Sequence, residues 1–149
     1  MKLEIDLQND AGLQAVPTTE QFETWVRAGL CDDYTKLEQT IRLVDEVESR
    51  QLNSAFRGID KPTNVLSFPS EPSPYLDYTQ LGDLVICAPV IEREARTQGK
   101  SPAAHWAHMV VHGMLHLQGF DHQQAKQAAQ MEALEIEILQ TLGHTNPYI

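Results

Sequence analysis

Cysteine is scarce. The 149-residue chain carries two, Cys31 and Cys87, with no C-x-x-C pair, which excludes a disulfide scaffold and a cysteine-only zinc site. Both are expected as free thiols in a reducing compartment. Cys87 lies in an apolar run and belongs to the core, whereas Cys31 stands beside Asp32 and Asp33. Long apolar runs are absent too: no segment approaches the ~18 consecutive apolar residues of a membrane span. The first residues, from Lys2 to Asp6, alternate in charge instead of leading into a secretory signal. A soluble, cytoplasmic protein with no membrane partner is the expectation.

Positive charge is also in short supply, with 11 Lys and Arg against 21 Asp and Glu and a net charge of −10. That argues against a broad nucleic-acid-binding surface. It leaves room for a local one, because Arg50, Arg57, Lys61, Arg93, Arg96 and Lys100 all fall in the middle third, between acidic flanks.

What is present is ordinary for a globular chain: 42% hydrophobic and 21% charged residues, which excludes disordered, collagen-like and coiled-coil classes. At about 150 residues per domain the length fits one domain, residues 1–149, large enough to fold without staples. Lys2 to Gln8 alternates, with Leu3, Ile5 and Leu7 on one face of a strand. Thr18 or Thr19 caps a helix carrying Phe22, Trp25, Val26 and Leu30 at helical spacing. Lys36 to Val44 is a second strand. Asp45 with Glu48 reads as a capping box for a helix that stops at Gly58. Asn64–Phe68 and Leu81–Cys87 are two short β-like runs around a loop marked by Pro69, Pro72 and Pro74. Pro89 suits a first helical position, and Ser101-Pro102 starts a helix that ends near Gln118, at Gly119. A last helix, from about Gln123 to Leu142, turns Ala128, Met131, Leu134, Ile138 and Leu142 inward. The order β-α-β-α-β-β-α-α-α predicts an α+β domain, a mixed sheet of about four strands packed with about five helices.

Five of the six histidines crowd into residues 105–122: His105, His108, His112, His116 and His122. His112 and His116 are four apart, so a helix projects both from one face, close enough for two imidazoles to bind one ion at Zn–N distances of about 2.0–2.1 Å. Gly119 then supplies a turn that brings His122 toward the same ion. The pattern H-x₃-H-x₂-G-x₂-H has the spacing of the metzincin zinc site. Three imidazoles with an open fourth position describe a catalytic centre more than a closed structural one. His105 and His108 read as supporting or packing residues, and His144 as solvent-exposed. One position departs from the peptidase pattern: the general-base glutamate after the first histidine is replaced by Gly113, which cannot move a proton. Asp121 is a candidate base or supporting carboxylate, with a turn-capping role equally open.

The segment from His112 to His122 matches H-G-x-L-H-L-x-G-x-D-H at every fixed position, and so resembles the bacterial YbeY-type endoribonucleases. Arg57-Gly58, Asp60 to Pro69 and Leu81-Gly82-Asp83-Leu84 extend the resemblance, which covers residues 50–140. It implies a zincin-like α+β domain with one Zn²⁺ per chain on His112, His116 and His122. It also implies hydrolysis of single-stranded RNA, association with the ribosome or its small subunit, and a role in 16S rRNA 3′-end maturation and ribosome quality control. His112, His116 and Arg57 are the expected catalytic residues. Arg57 matches the family's functional arginine, whose guanidinium fork suits phosphate oxygens; its plain alternative is a surface salt bridge. Lys61 reads equally as a phosphate contact or a solvated loop lysine, and Asn64–Phe68 as a cleft-lining strand, as ordinary core with Val65, Leu66 and Phe68 packed inward, or as both. Two other functions fit less of the pattern: an assembly factor whose zinc is only structural, and a metallopeptidase with an unusual base.

Overall fold

Alternation and caps decide where this chain bends. The computed structural model describes residues 1–121 and 123–149. Its elements are β1 (Lys2–Gln8), α1 (Thr19–Ala28), β2 (Lys36–Val44), α2 (Glu46–Arg57), β3 (Val65–Pro69), β4 (Thr79–Cys87), α3 (Ala88–Gln98), α4 (Pro102–Leu117) and α5 (Ala125–Thr141). The order and the α+β class are those read from the sequence.

At the start of α1 the capping box is complete: Thr18 accepts from the Gln21 amide, and the Gln21 side chain accepts from the Thr18 amide. At α2 it is only half formed. Asp45 accepts from the Glu48 amide, but the Glu48 carboxylate turns to the Arg42 guanidinium on β2, because a charge-assisted pair outcompetes a neutral backbone donor. Three other expectations shift slightly. Pro69 is the last residue of β3 rather than part of the loop, Pro89 is the second residue of α3, and His144 is half-buried.

The strands lie in the order β1-β2-β4-β3. β1, β2 and β4 run parallel, and β3 pairs antiparallel with β4 as an edge strand. Ile41, Leu43, Val65, Leu84 and Ile86 face the main core, where they meet Phe22, Trp25 and Val26 of α1 and Met131 and Leu139 of α5. The opposite face holds a smaller cluster, Val44, Leu66, Val85, Cys87 and Val90, bordered by Leu52 of α2 and by Phe68. Cys87 is buried as expected, and Cys31 is exposed. Helix α4 is the hub. Trp106, Ala107, Val110, Val111, Met114 and Leu115 are buried, and the helix packs on β3, β4, α1, α3 and α5. The edge strand β3 therefore has α4 on its inner side and the end of α2 on its outer side. Among the described residues, no helix is long and apolar enough to cross a membrane.

Candidate metal centre and cleft

Ser101 accepts from the Ala104 amide and starts α4. From there His105, His108, His112 and His116 fall along one side of the helix, three or four residues apart. His105 and His108 are buried, while His112 and His116 open onto a cleft.

Backbone and carboxylate partners set the tautomers of the last two. His116 Nδ1 lies 3.0 Å from the Phe120 carbonyl. A carbonyl only accepts, so Nδ1 donates and Nε2 keeps its lone pair. The turn that delivers this carbonyl passes through Gly119 at φ 99°, a backbone region that suits glycine. His112 Nδ1 lies 2.6 Å from Glu135 Oε1 and donates to it. The two Nε2 atoms then face each other 3.1 Å apart. Acceptor nitrogens at that separation suit a shared cation: with Zn–N bonds of about 2.0–2.1 Å, tetrahedral ligands stand about 3.3 Å apart.

Glu135, on α5, is fully buried. It also accepts from His108 Nε2 at 2.9 Å and from the Tyr148 hydroxyl. Burial by itself raises a carboxyl pKa, but these donors outweigh it and hold Glu135 at about 2. Glu135 is thus a carboxylate at neutral pH. Burial pushes the pKa of His108 down and that of Tyr148 up. His108, His112 and Glu135 place three ligand-type atoms within 4.8 Å of one another, a group that could hold a metal. A second carboxylate supports His105: Glu94 Oε1 lies 2.9 Å from its Nε2 and accepts from Asn64 Nδ2 at 3.1 Å. The bond from His105 holds the Glu94 carboxyl below its usual range.

The cleft, about 730 Å³, is floored by Val65–Pro69. His112, His116, Gly119, Phe120 and Asp121 form one wall, and Phe56 and Arg57 the other. One face of α2 holds the connection to β3 in place. Ser49 Oγ donates to the Thr63 carbonyl and accepts from its amide, both at 2.9 Å, while Asn53 Nδ2 donates to the Lys61 carbonyl at 2.8 Å. Arg50 grips Asp60 with two nitrogens. This clamp sets the last turn of α2, and so Arg57, against the edge strand. Arg57 is exposed, lines the cleft and forms no ion pair among the described residues. Lys61 is exposed and lies outside the cleft lining. Arg57, His112, His116 and Asp121 are thus brought together; His122 lies outside the described residues.

The sequence profile of the family described as endoribonuclease YbeY matches residues 6–143. The chain belongs to the YbeY endoribonuclease family. The solution structure of TM1509 from Thermotoga maritima is similar, at 26% identity over 97% of each chain with a TM-score of 0.51. As a YbeY-family chain this protein is a nuclease-type hydrolase whose substrate is RNA.

In this YbeY-family chain the Gly113 position faces the sheet. A Cβ there would lie 2.7 Å from Leu84 Cδ2, 3.3 Å from Val65 Cγ2 and 3.4 Å from Ser67 Oγ. A glutamate at this position would be driven into the helix–sheet interface. We expect Gly113→Ala to lower stability: crowding costs ~1–3 kcal/mol, and the helix-propensity gain of ~1 kcal/mol offsets only part of it. Urea midpoints at unchanged slope would read this; an unchanged midpoint would show that the interface yields freely.

Two residues that build this YbeY-family site were not singled out from the sequence: Glu135 and Tyr148. Glu135 had a visible signal. It shares the inward stripe of α5 with Met131 and Ile138, and an acid on an apolar stripe needs a partner. Tyr148 lies beyond the last helix, where periodicity says nothing.

Proposed function

We propose that residues 1–149 form one zinc-dependent, single-strand-specific endoribonuclease domain, cytoplasmic and acting on ribosomal RNA. Its place is 16S rRNA 3′-end maturation and ribosome quality control, in association with the small ribosomal subunit. Family membership supports the RNA substrate and the nuclease chemistry. The carrying observation is the convergence of His112 Nε2 and His116 Nε2 at 3.1 Å, with each Nδ1 already committed as a donor. In this reading His112, His116 and His122 hold one Zn²⁺ per chain. Glu135 stands behind His112 as its hydrogen-bond partner, since it accepts from the His112 Nδ1 that faces away from the paired Nε2 atoms.

Bound there, zinc supplies Lewis acidity at a phosphoryl oxygen and activates water. The chain supplies the rest. His112 and His116 are held rigid by Glu135 and the Phe120 carbonyl. Arg57, across β3, binds phosphate oxygens through its fork and offsets charge that develops in the transition state. The opening of His112 and His116 onto a cleft favours catalysis over a purely structural zinc, and the inward-facing Gly113 position speaks against peptidase chemistry.

Glu135→Gln should weaken zinc binding about 10–100-fold, the usual effect of removing a ligand's hydrogen-bond partner. One amide oxygen cannot accept from His108, His112 and Tyr148 at once. Titration against a chelating dye measures this, and an unchanged curve would remove Glu135 from the site.

The function itself is tested with metal-quantified protein and a labelled RNA bearing single- and double-stranded arms. Cleavage confined to the single strand is the expected outcome. One bound zinc per chain with no cleavage, alone or with small subunits added, would overturn it in favour of an assembly factor.

A further inference from the structure

Phe56 is a large apolar residue that the fold leaves 66% exposed at the edge of the cleft. It adjoins Arg57 on the last turn of α2, and its ring meets Phe68 of the edge strand edge-to-face, with centroids 5.1 Å apart and planes at 72°. That contact fixes the Phe56 ring from one side. Both rings also line a second cavity, about 480 Å³, on the outer face of the sheet, with Thr40, Arg42, Asp83 and Asp10 among its walls. The Phe56–Phe68 pair is therefore a ridge between the cleft and this outer cavity.

The charges on the two sides differ. On the cleft side stands Arg57, a cation with no ion pair among the described residues. On the outer side Asp10 and Asp83 are carboxylates, and the Arg42 charge is neutralised by Glu48. A phosphate suits the first side and is repelled by the second. A neutral, flat, partly polar group suits the second, and the cavity falls within the size range of small-ligand pockets.

We propose that the Phe56–Phe68 ridge and the outer cavity form a nucleobase subsite: an unpaired base of the RNA stacks on Phe56 while the adjoining phosphate sits at Arg57. The proposal rests on the ribonuclease reading above and gives it a physical source of strand selectivity. A base in a duplex is already stacked on its neighbours and cannot reach the ridge without unpairing, whereas an unpaired base can. Phe56 is a positioning residue. It does not touch the reacting atoms.

The test is a cycle between protein and RNA, read as binding by fluorescence anisotropy and as KM and kcat for cleavage. Single-stranded RNAs with one abasic nucleotide walked along the strand are compared on wild-type holoenzyme, Phe56→Ala, Phe56→Leu and Phe56→Tyr. In the wild type, one abasic position should weaken binding about tenfold, within the range of a lost base–aromatic stack. Phe56→Ala should weaken the intact RNA by the same factor, in Kd and KM rather than kcat, and show no further loss at that abasic position. Phe56→Tyr should restore binding. Phe56→Leu, which keeps apolar packing against Phe68 but offers no ring face, should not. Losses that simply add at every position, or a Phe56→Ala variant that binds like wild type, would overturn the subsite and leave the ribonuclease reading intact. Wild-type holoenzyme that neither binds nor cuts any of these RNAs, alone or with small subunits added, would overturn both.

Discussion

Replacing His116 with alanine should abolish metal retention and, with it, RNA cleavage, the largest effect expected from any single change in the protein. His116 brings one of the two Nε2 atoms that face each other at 3.1 Å, and its ring is aimed by the Phe120 carbonyl. A remaining pair of ligands cannot make the three-ligand set of a catalytic zinc site. The variant should still fold, because the ring faces the cleft. Its thermal midpoint should also stop responding to added zinc, since a ligand stabilises only the state it binds. Metal content by mass spectrometry of the purified chain, with a melt in zinc and in chelator, measures both effects. A variant that keeps one ion per chain would move the site to the group formed by His108, His112 and Glu135.

Arg57→Ala comes second, with kcat expected to fall about 10²–10³-fold, the usual cost of removing one preorganised donor to transition-state charge. Metal content should not change, because Arg57 reaches the cleft from α2 on the far side of β3. Arg57→Lys should recover part of the rate, as a point charge replaces a fork. Single-turnover rates on metal-quantified protein separate the possibilities. A loss confined to KM would make Arg57 a ground-state phosphate contact and deny it a share in the chemical step.

The sequence showed most of the frame and one side of the site. Helix ends were legible where a local signal decided them: Thr18, Asp45 and Ser101 as caps, and Gly58 as a left-handed stop. The His112–His116 pair was legible because a helix of fixed period puts both on one face, but the 3.1 Å approach of their Nε2 atoms also needs Glu135 and the Phe120 carbonyl to orient the rings. Residues whose roles depend on distant parts of the chain were not legible. Glu135 reaches His112 across 23 positions and Tyr148 reaches Glu135 from beyond the last helix. Glu48 chose Arg42 over its own helix cap because a neighbouring strand brought the guanidinium within reach. That Gly113 stands where the peptidase pattern has its glutamate is legible in the sequence, but the packing around it, a helix pressed onto Leu84 and Val65, required the fold.

The floor of the cleft has a consequence for solubility. A cleft that admits a polymer must stay open, and here β3, which lines it, is an edge strand with no further strand paired to it among the described residues. Such an edge is a ready template for strands of other chains. β3 is short, five residues, and it ends in Pro69, whose nitrogen has no hydrogen to offer a neighbour. The same short strand that gives substrate a floor is thereby a poor seed for aggregation.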